Sequence, residues 1–207
     1  MKKLSDKKIQ SLIEVAYELR DREFKSPFSW TDTKSSWLKE KVARAVLGMT
    51  NIKYGGNIVV GVREDTNGKN KKMVLQGLDE CQFESFGDYD AIKGFIDGFS
   101  YSDTNFDMGW GVYEKKRYVI LTVAEFYEIP VICKKDGQYR DILKKNDIYV
   151  RSKKGPYSTI RATELELREI IKMAADKERV ELRDRGYLKT GELTTEQFYK
   201  QQIKDLE

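Results

Sequence analysis

The chain has 207 residues, of which 40% are apolar and 35% are charged, so it can bury a core beneath a very polar surface. Its 38 basic and 34 acidic residues leave a net charge of +4, which fits an anion-binding patch without requiring one. The absence of histidine excludes Ser-His-Asp triads, histidine–zinc sites and histidine-based ribonuclease chemistry. Any hydrolytic chemistry must therefore use carboxylates, lysines, hydroxyls or a metal.

Other protein classes are also disfavoured. Cys81 and Cys133 lack Cys-x-x-Cys spacing, so neither a disulfide framework nor a structural zinc site is expected. No Gly-x-x-x-x-Gly-Lys-Ser/Thr run supports a P-loop NTPase. The N-terminus lacks the apolar core of a signal peptide, and no stretch approaches the roughly 20 apolar residues of a membrane span. We expect a cytoplasmic, soluble protein that does not contact membranes.

The first part of the chain predicts two amphipathic helices, each followed by a strand. Apolar residues recur at helical spacing in the helices, and β-branched residues concentrate in the second strand. The expected elements are a helix over 5–19, a strand over 22–28, a helix over 35–50 and a strand over 57–62. A turn-forming run over 65–70 then leads to a returning strand at 73–75.

The second part predicts a helix, a hairpin and a long final helix. The expected elements are a helix over 88–99, a hairpin of 110–113 with 118–123, strands at 131–134 and 148–151 that continue the sheet, and a helix from Ile160 to about Arg185. This order indicates an α+β domain over residues 1–185, with a mixed, largely antiparallel sheet flanked by helices. The polar tail, 186–207, is predicted to be either a docking helix or a frayed end.

Acidic residues accompany the first two predicted strands. Glu23 and Lys25 alternate with Phe24, so a strand would place the carboxylate and the ammonium on one face. Glu18 precedes this strand, and Glu64 lies where the next one ends. If the strands are neighbours, the three carboxylates could bind Mg²⁺ or Mn²⁺, with Lys25 assisting at a phosphate. By spacing alone, solvated surface residues are the favoured alternative.

The Gly55-Gly56 pair also has two interpretations. Glycines after a helix usually adopt a left-handed cap, which spacing alone favours. The alternative is that they let the backbone approach a phosphate.

Together, the ordered motifs resemble the Schlafen AlbA-type domain, which is described as DNA-binding and was formerly called a divergent AAA domain. The resemblance covers about residues 10–175. The matching pieces are Glu18, Glu23-Phe24-Lys25, the run from Asn51 to Val62, Gln76-Gly77-Leu78, the run from Ile148 to Ser152, and a following helix from Ala162. The family usually has Ala-Asn-Thr-x-Gly-Gly in the second piece, whereas this chain has Met49-Thr50 where small apolar residues are typical.

The resemblance implies a Schlafen-core-like fold and, in the nuclease members, a metal site built from three acids. The matching positions are Glu18, Glu23 and Glu64, where aspartate is usual, with Asp65 as an adjacent alternate. Family nucleases cut structured RNA such as tRNA, other members are linked to DNA, and many prokaryotic members lack part of the acid set and only bind. Vertebrate Schlafens pair two such lobes, so a homodimer or higher oligomer would supply the equivalent groove here. An antiviral defence role is implied only by the resemblance to this family and not by the residues themselves.

Basic residues cluster in three places that could meet phosphates on one face. The first cluster surrounds the first strand and second helix: Lys25, Lys34, Lys39 and Lys41. The second is Lys115–Arg117 at the hairpin, which we expect to be solvated. The third brackets the last strand and is favoured because the resemblance also places an arginine at 151: Lys144, Lys145, Arg151, Lys153 and Lys154.

Three aromatic residues could stack bases, namely Trp30, Trp37 and Tyr54. Trp37 lies on the apolar face of its predicted helix, so packing is expected there, whereas Trp30 is less constrained.

Two functions therefore compete. The first is a nucleic-acid-binding domain with a metal-dependent endonuclease site for RNA or DNA, in which Glu18, Glu23 and Glu64 hold the metal. The second is a non-catalytic module that recruits nucleic acid to a partner such as a motor ATPase. A separation of the three carboxylates above roughly 8 Å would prevent them from sharing one metal. Nucleotide binding at Gly55-Gly56 is a weaker third hypothesis, prompted by the old family label.

Overall fold

A five-stranded mixed sheet forms the centre of the computed structural model, which describes residues 1–14, 18–65, 72–139, 141–154 and 157–187. The strands are β1 (Lys2–Lys3), β2 (Arg22–Lys25), β3 (Gly56–Val60), β4 (Val62–Asp65), β5 (Lys72–Leu75), β6 (Phe106–Tyr113), β7 (Lys116–Val123), β8 (Tyr149–Arg151) and β9 (Thr159–Arg161). The helices are α1 (Asp6–Ile13), α2 (Ser36–Thr50), α3 (Glu80–Glu84), α4 (Tyr89–Asp97) and α5 (Glu164–Asp184), with a 3₁₀ turn at Thr33–Ser35.

The main sheet has the order β1–β6–β7–β3–β2. Its central strands are antiparallel, and the short edge strands β1 and β2 run parallel to their neighbours. This arrangement confirms the predicted α+β fold, with a mixed sheet flanked by helices and a long C-terminal helix.

Both faces of the main sheet are covered. On β3, Ile58 and Val60 pack in the cluster that contains α2, whereas Val59 between them packs with Ile9 and Leu12 of α1. Because side chains alternate along a strand, burial on both faces requires an uninterrupted apolar run, and the sequence of β3 has one.

The strand predicted over 57–62 is interrupted at Gly61. Its φ of +118° is rarely adopted by residues with a side chain, and its N–H donates to the carbonyl of Lys25 at 2.9 Å. The chain leaves the main sheet there, and β4 pairs with β5 in a separate two-stranded sheet.

The prediction that 131–134 and 148–151 continue the main sheet is wrong. β8 pairs with β9 in another two-stranded sheet, and Cys133 makes an isolated bridge to Ser100. The Asn51 side chain holds the two segments by donating to the carbonyls of Val131 and Tyr149 and accepting from the Val131 N–H.

Several predicted boundaries also change. The last helix begins at Glu164 rather than Ile160, because residues 159–161 form β9 and Thr163 starts a capping box with Glu166. The first helix ends at Ile13, and β2 ends at Lys25. The helix over 88–99 and the hairpin are confirmed, whereas α3 was not predicted. Residues 66–70 of the turn predicted over 65–70, and residues 188–207 of the predicted tail, lie outside the described residues.

The hairpin between β6 and β7 turns at Glu114 and Lys115, which both have positive φ. Such a two-residue turn matches the right-handed twist of the flanking strands. Lys116 and Arg117 therefore belong to β7 rather than to the tip, and Arg117 contacts Glu80 at 3.4 Å. Across the described residues, no helix is long and apolar enough to cross a membrane.

Candidate nucleic-acid interface and adjacent carboxylates

The condition that the first two predicted strands are neighbours is met. β2 and β3 are parallel neighbours, with Glu23 opposite Ile58. Glu23 and Lys25 lie on one face and form an ion pair, whereas Phe24 packs on the other face in the α1 cluster. The period-two pattern of this short strand therefore brings the carboxylate and the ammonium together as expected.

A distant arginine completes this group. Arg151 of β8 is fully buried, and its guanidinium pairs with the second carboxylate oxygen of Glu23. It also donates to the backbone carbonyls of Leu19, Arg20 and Arg22, at 3.1, 3.3 and 2.9 Å. Arg151 thus fixes the segment that enters β2, and its burial removes it from the surface that a phosphate can reach.

The Thr159 hydroxyl, from β9, donates to Glu23 at 3.1 Å. Sequence reasoning missed Thr159. Gly48 of α2 lies against it, since a Cβ at Gly48 would stand 2.6 Å from the Thr159 methyl. Spacing in the sequence gives no signal for this contact between distant segments.

Glu18 and Glu23 have opposite pKa shifts. Burial by itself acts to raise the pKa of both carboxyls. For Glu23, the nearby charges of Lys25 and Arg151 and hydrogen bonds from Lys25 and Thr159 outweigh burial and hold the pKa below its ordinary value. For Glu18, burial and repulsion by Glu23 dominate, so its pKa is raised despite Arg151, which lies 3.9 Å away.

The third predicted acid lies elsewhere. Glu64 stands on β4, opposite Met73, beyond the break at Gly61. Over residues 1–14, 18–65, 72–139, 141–154 and 157–187, no three or more Asp, Glu, Cys or His side chains are grouped so that they could hold a metal ion. The structure brings Glu18 and Glu23 together but does not add Glu64 or Asp65 to them as a metal-binding set.

The carboxylate oxygens of Glu23 do not fit a Mg²⁺ or Mn²⁺ site in this arrangement. One of its oxygens is engaged by the Lys25 ammonium, and the other by the Arg151 guanidinium and the Thr159 hydroxyl. A hard cation needs several oxygen ligands, and here two protein cations occupy the positions where it would bind. Metal-dependent cleavage by these residues stays a prediction from the sequence.

A basic strip lies on α2 and the turn before it. Trp37, Lys41 and Arg44 are spaced four and then three residues apart, which places them on one helix face. The Lys41 ammonium lies 4.5 Å from the centre of the Trp37 ring, and Lys34 is exposed one turn earlier. We call Lys34, Trp37, Lys41 and Arg44 the basic strip.

Electrostatic conditions on the strip favour an anion. Burial lowers the pKa of Lys41, and the positive charges of Lys25 and Arg44 lower it further. The Arg44 guanidinium lies 5.1 Å from the centre of the Tyr149 ring, and its buried Nε has no hydrogen-bond partner among the described residues. A phosphate would relieve the repulsion among these cations.

The other predicted nucleic-acid residues are scattered. Lys25 is largely buried beside Glu23, with 11% of its side chain exposed. Lys39 is half-buried and lies roughly 200° around the helix axis from Trp37. Lys153 and Lys154 are exposed, and Lys153 pairs with Glu169 of α5. Of the basic residues predicted to meet phosphates, Lys34 and Lys41 belong to the basic strip.

The expected roles of the two tryptophans are reversed. Trp30 is only 6% exposed and packs against Phe28, Phe86 and Phe95. Trp37 is 39% exposed, and the Lys41 ammonium lies beside its ring. The apolar face of α2 is instead filled by smaller residues, such as Val42 and Val46.

The Gly55-Gly56 pair approaches the protein's own backbone. Gly55 has φ +64°, and a Cβ there would stand 1.9 Å from the carbonyl oxygen of Val123. A Cβ at Gly56 would lie 2.7 Å from the Asp21 carbonyl oxygen. A side chain at either position would collide with the backbone of another segment, which explains both glycines without a ligand. Nucleotide binding at this pair stays a prediction.

Comparison with known proteins leaves the family open. No protein-family model matches the chain, and no curated protein matches its sequence. One similar solved structure is the DIP2311 protein from Corynebacterium diphtheriae, with 16% identity and a TM-score of 0.48 over 78% of this chain. The aligned region spans only 27% of that protein.

A second similar structure is the N-terminal domain of a protein from Nitrosomonas europaea described as RecG-related and as an ATP-dependent DNA helicase. It is 17% identical, with a TM-score of 0.43 over 69% of this chain and 88% of that domain.

Proposed function

We propose that this protein binds nucleic acid through the basic strip and that the neighbouring carboxylates serve the fold rather than catalysis. The proposal rests on the alignment of three cationic residues with an exposed Trp37 along one side of α2 and the turn before it, with the Lys41 ammonium 4.5 Å from the centre of the Trp37 ring. Cations that repel one another supply phosphate contacts, and an exposed ring can stack a base. The resemblance to Schlafen AlbA-type domains supports the same class of ligand.

Binding can be measured by fluorescence anisotropy with labelled single-stranded RNA, single-stranded DNA, duplex DNA and tRNA over a range of salt. Lys41→Ala should weaken binding to all sequences and reduce the salt slope by roughly 0.7–0.9 per lost phosphate contact. Trp37→Ala should lose about 1–3 kcal/mol of binding free energy if one base stacks on the ring.

Lys115→Ala is the matched control, because it removes one exposed positive charge at the hairpin turn, away from α2. It should leave affinity nearly unchanged. Absence of binding to all four ligands, or an equal loss in the Lys41 and Lys115 variants, would refute the basic strip as the interface.

The same samples test the endonuclease prediction. With Mg²⁺ or Mn²⁺ added, we expect each ligand to be bound and left intact. Metal-dependent cleavage that disappears in a folded Glu18→Gln variant would overturn the non-catalytic half of the proposal. Two narrower proposals follow: the protein recruits nucleic acid to a motor ATPase, and two copies form a homodimeric groove. Sedimentation velocity with and without RNA measures whether the dimer forms.

A further inference from the structure

A groove of about 880 Å³ lies between α5 and two segments of the domain, 51–53 and 125–128. Its apolar lining comes from both sides: Ile52 and Val150 from the domain, and Ile170, Met173 and Val180 from the helix. The basic strip contributes no residue to this groove, so the two surfaces can be tested separately.

Among the residues that the structure describes, the second half of α5 has few apolar neighbours. The helix is 21 residues long, or about 31 Å. Ile170 is buried with Ile52, Phe126 and Val150, and Met173 and Ala174 pack at the edge of that cluster. Beyond them, Lys177 pairs with Glu125 at 2.6 Å, whereas Val180 is half exposed. A helix laid along the groove would cover the apolar side of this segment.

Acidic side chains outnumber basic ones around the groove. Eight lining residues are Asp or Glu and five are Lys or Arg. Two of those basic residues are already paired with lining acids, Lys177 with Glu125 and Arg185 with Glu181. This field disfavours a phosphate backbone and favours a positively charged ligand.

Two exposed tyrosines stand beside the groove. Tyr127 lines it and is 81% exposed, and Tyr54, next to the lining residue Lys53, is 82% exposed. Tyr54 has φ +69°, an unfavourable conformation for a residue with a side chain, and its N–H donates to the Glu125 carboxylate at 2.6 Å. Strained residues concentrate at functional positions, and tyrosine is a frequent interface anchor.

We propose that this α5 groove binds a basic amphipathic helix of a partner protein. The apolar side of such a helix would lie on the accessible lining residues Tyr127, Met173 and Val180, and its lysines and arginines would face the acidic rim. Helix-in-groove recognition uses this combination of apolar anchors and complementary charge.

The test uses the full chain and three synthetic helical peptides of about 18 residues, the length of roughly five helical turns. All three have the same apolar positions, and their polar faces are basic, neutral or acidic. Titration calorimetry should detect binding of the basic peptide only, with affinity that falls as salt rises. Glu128→Lys should weaken this binding.

A matched pair of variants on α5 tests the location. Val180→Ser removes a groove contact and should weaken the basic peptide about fivefold, whereas Ile171→Ser removes an exposed apolar side chain that does not line the groove and should change affinity less than twofold. No binding, equal binding of all three peptides, or equal effects of the two substitutions would overturn the proposal.

Competing occupants give different results. If residues 188–207 fill the groove, the wild-type chain will not bind the basic peptide, but a Leu193→Ser/Phe198→Ser variant will. If a second copy fills it, sedimentation velocity will show a dimer that Val180→Ser dissociates and Ile171→Ser does not. Either result refutes the partner helix while leaving nucleic-acid binding at the basic strip untouched.

Discussion

Replacing Glu23 with glutamine should destabilise the whole fold. Glutamine keeps the size of the side chain and one carbonyl acceptor but removes the negative charge. Arg151 is 0% exposed, and the carboxylate that would remain near it among the described residues is that of Glu18, at 3.9 Å. Lys25, which pairs with the other oxygen of Glu23, would lose its counterion as well. The substitution therefore leaves a buried positive charge poorly compensated.

The expected loss follows from the burial of this pair. Removing one partner of a buried ion pair typically costs about 3–5 kcal/mol, because the remaining charge is neither solvated nor compensated. That is a large share of the roughly 5–15 kcal/mol that stabilises a typical domain. For a domain of this size, the loss corresponds to a fall in Tm of about 6–20 °C. If Glu23 were instead a solvent-exposed catalytic carboxylate, its replacement by glutamine would leave the Tm almost unchanged.

Urea unfolding followed by circular dichroism measures the loss directly. Glu169→Gln is the control, because Glu169 forms an ion pair with Lys153 whose side chains are 42% and 39% exposed. Exposed pairs contribute at most about 1 kcal/mol. The buried-pair explanation fails if Glu23→Gln loses less than about 1 kcal/mol, or no more than the control. A double variant with Arg151→Met should lose less than the sum of the two single losses.

Two further predictions concern Glu18 and Asn51. The raised pKa of Glu18 means that folding favours its protonated form, so its contribution to stability is present at low pH and is lost as pH rises through the raised pKa. Glu18→Gln should therefore be at least as stable as wild type in urea at pH 7 and lose that advantage near pH 4; a net loss at pH 7 would contradict the sign. Asn51→Ala should cost about 3 kcal/mol in the same assay, because buried groups of Val131 and Tyr149 lose their partners, whereas exposed Asn105→Ala should cost under about 0.5 kcal/mol.

Local patterns in the sequence predicted the local parts of the site correctly. The alternation of Glu23, Phe24 and Lys25 gave the correct faces because the side-chain period of a strand does not depend on distant partners. The path of the chain after β3 was missed, although Gly61 within an apolar strand pattern is the type of residue that indicates a break. The sequence gives no local signal for the role of Asn51, since its partners lie 80 and 98 residues further on.

The role of Arg151 could not be read from spacing, because its partner Glu23 is 128 residues away. A strand that carries a carboxylate and a lysine fits either a hydrated metal site or a buried ion pair, and the choice depends on which third charge the fold brings to the carboxylate. Here that charge is a guanidinium that also holds the carbonyls of Leu19, Arg20 and Arg22. A metal at Glu23 would have to displace it and leave those carbonyls unpaired, at about 1–3 kcal/mol for each one that stays buried. Conversion to a metal site would therefore require the segment entering β2 to rearrange, and Arg151 is the residue whose replacement would test that requirement.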